Sequence, residues 1–218
     1  MRVKHWLNGN SVKMYDKAGR ILRVETTIGN PKDFCVLRPR REDDRGERLD
    51  AATGAQLVWR NMRKSVADLH RRAALSQRAN ERYLDALAVV EDTTPCARIF
   101  DAVARPVVQQ QRSFRALRLS DPAELALLEA ISRGEFVPTG FRNRDLRRLL
   151  YPRPHTKAAD RRRSGCLSRL LRLFRAHGVV RKIPKTHRYQ LTERGRLLTA
   201  ALRATRDASL RQLLREAA

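Results

Sequence analysis

Arg161, Arg162, Arg169 and Arg172 are spaced so that a helix over residues 158–177, turning about 100° per residue, gathers them on one arc with Gly165 between them. A guanidinium presents its donors as a rigid fork that matches two phosphate oxygens, or the O6 and N7 edge of a guanine. A glycine within such an arc lets the helix backbone approach whatever the arginines hold. Arg163, Leu167, Leu170, Leu171 and Phe174 fall on the opposite, mostly apolar arc. An arginine arc on an isolated helix is also what an ordinary solvated face looks like, so its meaning depends on the flanking elements.

Other chemistries find little support in the residue pattern. There is no phosphate-binding G-x-x-x-x-G-K loop, no G-x-S-x-G elbow and no H-E-x-x-H helix. His5, His70, His155, His177 and His187 are scattered, and none stands close to a cysteine. Cys35, Cys96 and Cys166 lie far apart with no C-x-x-C spacing, so neither a disulfide framework nor a zinc site is expected. Asp43 and Asp44 sit in a charged segment and read as solvated. No cofactor, metal or enzymatic activity is expected.

Charge points to the partner. Lys and Arg number 47 against 23 Asp and Glu, a net +24, which opposes compaction unless a polyanion is the intended ligand. Up to Phe141 there are 25 basic and 18 acidic residues, +7; from Arg142 onward there are 22 and 5, +17. The shorter C-terminal part therefore carries most of the positive field. No apolar run approaches the roughly 18 residues of a membrane-spanning helix, and MRVKHWLNGN lacks the apolar core of a signal peptide. A cytoplasmic protein without a membrane partner is the expectation.

The elements that must position these residues are legible to different degrees. Residues 1–37 read as a small β-hairpin or sheet: residues 11–15 and 20–28 are strands joined by Asp16-Lys17-Ala18-Gly19, with Leu22, Val24, Thr26 and Ile28 on one face. A second short apolar run occupies residues 34–37. Residues 38–58, highly charged and rich in turn formers, read as a linker and domain boundary. Within a helical connector at residues 59–119, a long helix over 60–91 carries a seam of Met62, Val66, Leu69, Ala73, Ser76, Asn80, Tyr83, Leu87 and Val90. Polar Ser76 and Asn80 disfavour a self-contained coiled coil, so the seam is expected to pack on its own chain. Pro95 and Pro106 bracket a short helix at 97–104, and residues 107–119 read as an extended connection.

Residues 120–218 form the most regular part. Ser120-Asp121-Pro122 opens a helix with Leu125, Leu128 and Ile131 inward, which Gly134 ends. Asn143 is expected to cap a second helix, with Leu146, Leu149 and Leu150 inward and Arg144, Arg147 and Arg148 outward; Pro152 and Pro154 stop it. After the arginine helix, His177-Gly178 is a helix stop. Residues 179–183 and 187–191 then form a hairpin with the basic tip Pro184-Lys185-Thr186, and Thr192 caps a last helix with Leu197, Leu198, Ala201 and Leu202 inward.

Three helices, a hairpin and a closing helix in this order resemble the winged helix-turn-helix proteins, especially the MarR-like group. HGVVRKIPKTHRYQLTERG is similar to that group's run of helix end, strand, wing, strand and Leu-Thr-x-x-Gly. The resemblance covers about the last hundred residues. It implies double-stranded DNA as partner, with Arg161, Arg162, Gly165, Arg169 and Arg172 at the major groove and Lys185, His187 and Arg188 on the wing. It also implies a bacterial transcriptional regulator, and a homodimer formed through terminal helices with Leu210, Leu213 and Leu214 available. Winged helices also dock proteins and RNA, and outward arginines do not name a sequence.

Two further resemblances lead elsewhere. Lys13-Met14-Tyr15-Asp16-Lys17 followed by Leu22-Arg23-Val24-Glu25 is weakly similar to strand pairs in the catalytic domains of plasmid and phage replication initiators and transposases. This implies an alternative in which Tyr15 takes part in strand cleavage. Ordinary cross-strand partners would carry Tyr15 and Glu25 equally well. Taken whole, the chain resembles the C-terminal half of a longer, uncharacterised bacterial protein family, which implies an N-terminally truncated fragment. The fold class expected is α+β, mainly helical, with an N-terminal β-sheet, a long helix and a C-terminal winged helix-turn-helix.

Overall fold

The computed structural model describes residues 2–39, 48–49, 56–88 and 93–209. These are α+β and mainly helical, and they divide into two compact units. The first unit draws on Met1–Leu84, Gly134–Thr139 and Ile183–His187, and the second on Asp85–Arg133, Gly140–Lys182 and Arg188–Ala218.

The first unit begins with an antiparallel meander of β1 (Arg2–Leu7), β2 (Asn10–Lys17) and β3 (Ile21–Ile28). The second turn is the one expected, with Ala18 and Gly19 both at positive φ and Arg20 N–H donating to Lys17 O. The first strand was not anticipated. Its signal is Asn8-Gly9, which forms a two-residue turn with φ of 50° and 81°, the dipeptide that most favours a hairpin of this twist.

The run at residues 34–37 is part of β4 (Cys35–Pro39), which pairs antiparallel with β6 (Gln56–Asn61); β6 also pairs with β5 (Arg48–Leu49). Residues 38–58 are therefore no domain boundary, because both ends of that segment lie in one sheet. The same pairing corrects the long helix. Residues 60 and 61 are claimed by the β6 ladder, and α1 begins at Leu69, running to Ala88.

The buried side of α1 differs from the expected seam. Ala79 and Tyr83 are buried and Leu75 packs on Ile28, Phe34, Val36 and Met62, whereas Val66 and Leu69 are 84% and 60% exposed. Val90 lies outside the described residues. Two interactions set this rotation. Asn80 Oδ1 accepts from Thr26 Oγ1 at 2.7 Å, and Tyr83 joins Val12 and Met14, so α1 covers the apolar face that three strands could not bury alone. Ahead of the helix, the buried Asp68 carboxylate accepts from Arg63 N–H at 2.9 Å and pairs with the Arg63 and Arg71 guanidiniums. Burial alone would raise its pKa, but the Arg63 hydrogen bonds and the two positive charges outweigh it and hold the carboxyl below its ordinary range.

In the second unit, α2 (Cys96–Asp101) is followed by β7 (Val107–Gln109) and β8 (Arg112–Phe114), a hairpin where an extended connection was expected. Buried Glu124 anchors the following segment, accepting from Arg115 Nη2 at 2.5 Å and Arg118 N–H at 2.8 Å. α3 (Pro122–Ile131) starts as expected, with Asp121 accepting from Ala123 and Glu124 N–H. A short strand β9 (Phe141–Arg142) leads into α4 (Asn143–Leu150), then α5 (Lys157–Ala176).

Beyond α5, β10 (Val180–Lys182) and β11 (Arg188–Leu191) form the hairpin, and the sheet order is β10-β11-β9. α6 (Glu193–Asp207) closes the unit with Thr192 as its cap. The Thr192 hydroxyl donates toward Gly178 O and Val179 O, and its oxygen accepts from Gly195 N–H at 3.1 Å. A Cβ at Gly195 would stand 2.3 Å from Val179 O, so α6 can seat on the strand backbone only with glycine there. Leu127, Leu128, Ile131, Phe141, Leu146, Leu167, Leu171, Phe174 and Leu198 make the core. Leu210, Leu213 and Leu214, on which dimerisation was expected to rest, lie outside the described residues. Among the described residues no helix is long and apolar enough to cross a membrane.

Candidate nucleic-acid interface

The junction of α4 and α5 determines which way the arginine helix faces. Asn143 does not cap α4; the N-terminal donor at Arg142 N–H is met by Asp145 Oδ2 at 2.9 Å. Asn143 instead crosses to α5, donating to Ser164 O at 3.0 Å and Ser168 Oγ at 2.9 Å. Arg147 forms an ion pair with Asp160. Arg163, placed by periodicity on the apolar arc, is half-buried: it donates to Pro152 O at 2.6 Å and lies 5.4 Å from the centre of the Tyr151 ring. These ties from one end of the α4–α5 connection to the other hold α5 in a single orientation.

With Leu167, Leu171 and Phe174 directed into the core, Arg161, Arg162, Arg169 and Arg172 are exposed. Among the described residues none of the four has a hydrogen-bond or ion-pair partner. Four cations held side by side without counter-charge repel one another, which favours any anion that comes between them. Gly165 lies among them, and a Cβ there would meet nothing within 4 Å. Nothing in the chain's own packing therefore requires glycine at 165. We expect Gly165→Ala to stabilise the protein by about 0.5–1 kcal/mol through helix propensity, read from chemical unfolding. If a ligand backbone approaches this face, the same variant weakens its binding.

Two clefts extend the cationic surface. One, of about 520 Å³, is lined by Arg144, Arg147, Arg148, Tyr151, Arg153 and Arg163 with Asp160. The other, of about 660 Å³, is lined by Tyr151, Arg161, Arg162, Gly165, Cys166 and Arg169. Burial, with Cys166 beside it, pushes the Tyr151 phenol above its ordinary pKa. Arg144, Arg148, Arg153 and Tyr151 were not anticipated as site residues. Their signal was the outward arginine face of α4 continuing past the prolines.

The hairpin only partly matches expectation. Lys185, at φ 55°, and His187 are exposed, but Arg188 is 1% exposed and donates to Gly140 O at 3.1 Å. Arg188 pairs in register with Arg142 of β9, which turns its side chain into the unit. It cannot reach a ligand. Lys182 and Arg181 of β10 are exposed on that hairpin as well.

In the first unit, Tyr15 Oη donates to Glu25 Oε1 at 3.0 Å, and Arg23 pairs with the same carboxylate at 2.8 Å. The hydrogen bond to Glu25 raises the phenol above its ordinary pKa, which opposes the ionisation a strand-cleaving tyrosine needs. Among the described residues no three His, Cys, Asp or Glu side chains converge as a metal-binding group. No protein-family model, curated protein or solved structure matches the chain.

Proposed function

We propose that the second unit is a winged helix-turn-helix that binds double-stranded DNA and serves in transcriptional regulation. The observation that carries this reading is the set of exposed, unpartnered arginines on α5, Arg161, Arg162, Arg169 and Arg172, around an open Gly165. The element order of α3, β9, α4, α5, the β10–β11 hairpin and α6, with the sheet ordered β10-β11-β9, supports it. α5 lies in the major groove in this reading, where its arginines meet phosphates and guanine edges. Arg144, Arg148 and Arg153 extend the contact along the flanking backbone, and Arg181 and Lys182 supply the wing.

The test is the salt dependence of duplex binding. Neutralising roughly six to eight phosphates releases counterions so that log affinity falls against log salt with a slope of about −5 to −7. A titration of a labelled duplex between low and moderate salt measures it. A slope shallower than about −2 would sink the proposal, since the arginine face would then not be meeting a polyelectrolyte.

A further inference from the structure

The first unit presents a second charged surface that duplex binding by the second does not use. In the β1–β3 meander the register aligns Arg2 with Tyr15 and Arg23, Lys4 with Lys13 and Glu25, and Trp6 with Ser11 and Thr27. Alternation puts all of these on one face of the sheet, opposite Val12, Met14 and Ile28, which are buried under α1. On the open face Trp6 is 62% exposed. Arg2, Lys4, Lys13 and Lys17 have no carboxylate partner among the described residues, while Arg23 shares Glu25 with Tyr15.

An exposed tryptophan keeps a large apolar area in water, and here Lys4 and, one step across, Lys13 share its face of the sheet. Five positive side chains against one carboxylate repel a second copy of the same face and disfavour an apolar protein partner. Charge complementarity selects an anion, and the two rings select an anion with stackable faces. Trp6 and Tyr15 lie about 14 Å apart by strand geometry, with Lys4 and Lys13 between them. The Tyr15 hydroxyl is already held by Glu25 and the Arg23 guanidinium lies 6.0 Å from the centre of its ring, so what that residue offers a ligand is the ring side away from Arg23. Paired bases in a duplex are stacked on one another and present edges, whereas an unpaired strand can lay its bases on a flat aromatic platform.

We propose that the open face of the β1–β3 sheet binds single-stranded DNA, with bases stacked on Trp6 and Tyr15 and the backbone held by Arg2, Lys4, Lys13 and Arg23. This site is separate from the duplex-binding face on α5 and does not depend on it.

The full chain, titrated at low salt with a labelled oligothymidine of roughly ten nucleotides, provides the test. Quenching of Trp6 emission accompanies binding, and Trp6→Ala and Tyr15→Ala each weaken it about five- to a hundredfold. Trp6→Phe, which keeps an aromatic face, retains affinity within a few-fold. The R169A/R172A variant binds the single strand as the parent does, even if it no longer binds duplex. Unchanged affinity in Trp6→Ala and Tyr15→Ala overturns the proposal. So does an equal loss in R169A/R172A, tighter binding of a matched oligouridine, or concentration-dependent self-association that buries Trp6 without DNA.

Discussion

An R169A/R172A variant binds duplex DNA about thirty- to twenty-thousandfold more weakly than the parent and unfolds at the same denaturant concentration. Each arginine that grips a guanine edge is worth about 1–3 kcal/mol, and about 1.4 kcal/mol is a factor of ten. Stability is unaffected because both side chains are exposed and neither has a partner among the described residues to lose. Their neighbours on the opposite side of α5, Leu167, Leu171 and Phe174, are untouched. Electrophoretic or anisotropy titration, paired with urea unfolding, separates the two quantities. Weakened binding together with a lowered unfolding midpoint would mean that the helix faces the other way. Full affinity with full stability would mean that the duplex, if bound, lies elsewhere.

Arg188→Ala shows the opposite pattern, with a loss of about 2–4 kcal/mol in stability. Removing a buried side chain of this length leaves a cavity, and it strips Gly140 O of the donor it meets at 3.1 Å. Gly140 precedes β9, so the loss falls where β9 and β11 pair and where Phe141 stacks on Tyr189. The unfolding midpoint in urea measures it directly. Duplex affinity, measured where the variant is still folded, stays within about threefold of the parent, because the guanidinium never reaches solvent. A marked affinity loss at unchanged stability would restore Arg188 to the binding surface. The two arginine variants thus test one distinction from both sides: a cation that serves a ligand and a cation that serves the fold.

Much of the second unit was legible in the chain because its signals are local. Asp121-Pro122, Gly178 and Thr192 act within one turn of where they stand, and the boundaries of α3, α5 and the hairpin follow them closely. The arc of Arg161, Arg162, Gly165, Arg169 and Arg172 needed only helical periodicity and an apolar opposite face. The first unit was read less well because it is built from partners distant in sequence. Residues 60 and 61 look helical by the spacing of Met62 and Val66, yet β4, some twenty residues earlier, supplies a ladder that holds them extended. Residues 38–58 look like a linker by composition, although their ends pair in one sheet.

The expected seam of α1 failed for a related reason. Periodicity establishes that a helix has a buried side, but the rotation of that side depends on what it meets. Here Asn80 answers Thr26 and Tyr83 answers Val12 and Met14, so Leu75, Ala79 and Tyr83 turn inward and Leu69 turns out. Asn143, read as a cap, is claimed by α5 instead, through Ser164 and Ser168.

Taken by itself, then, the sequence determined the net positive charge and its concentration after Arg142, the α+β class, and the arginine arc of α5. These depend on composition and on spacings shorter than a turn or a hairpin. The tertiary structure alone decided that Arg188 is a buried strut, that α1 covers the meander with Tyr83, and that Trp6 stands open among lysines. Burial is a property of neighbours, and Gly140 and Arg188 are 48 residues apart; no local pattern records which residues of a basic segment will be folded inward.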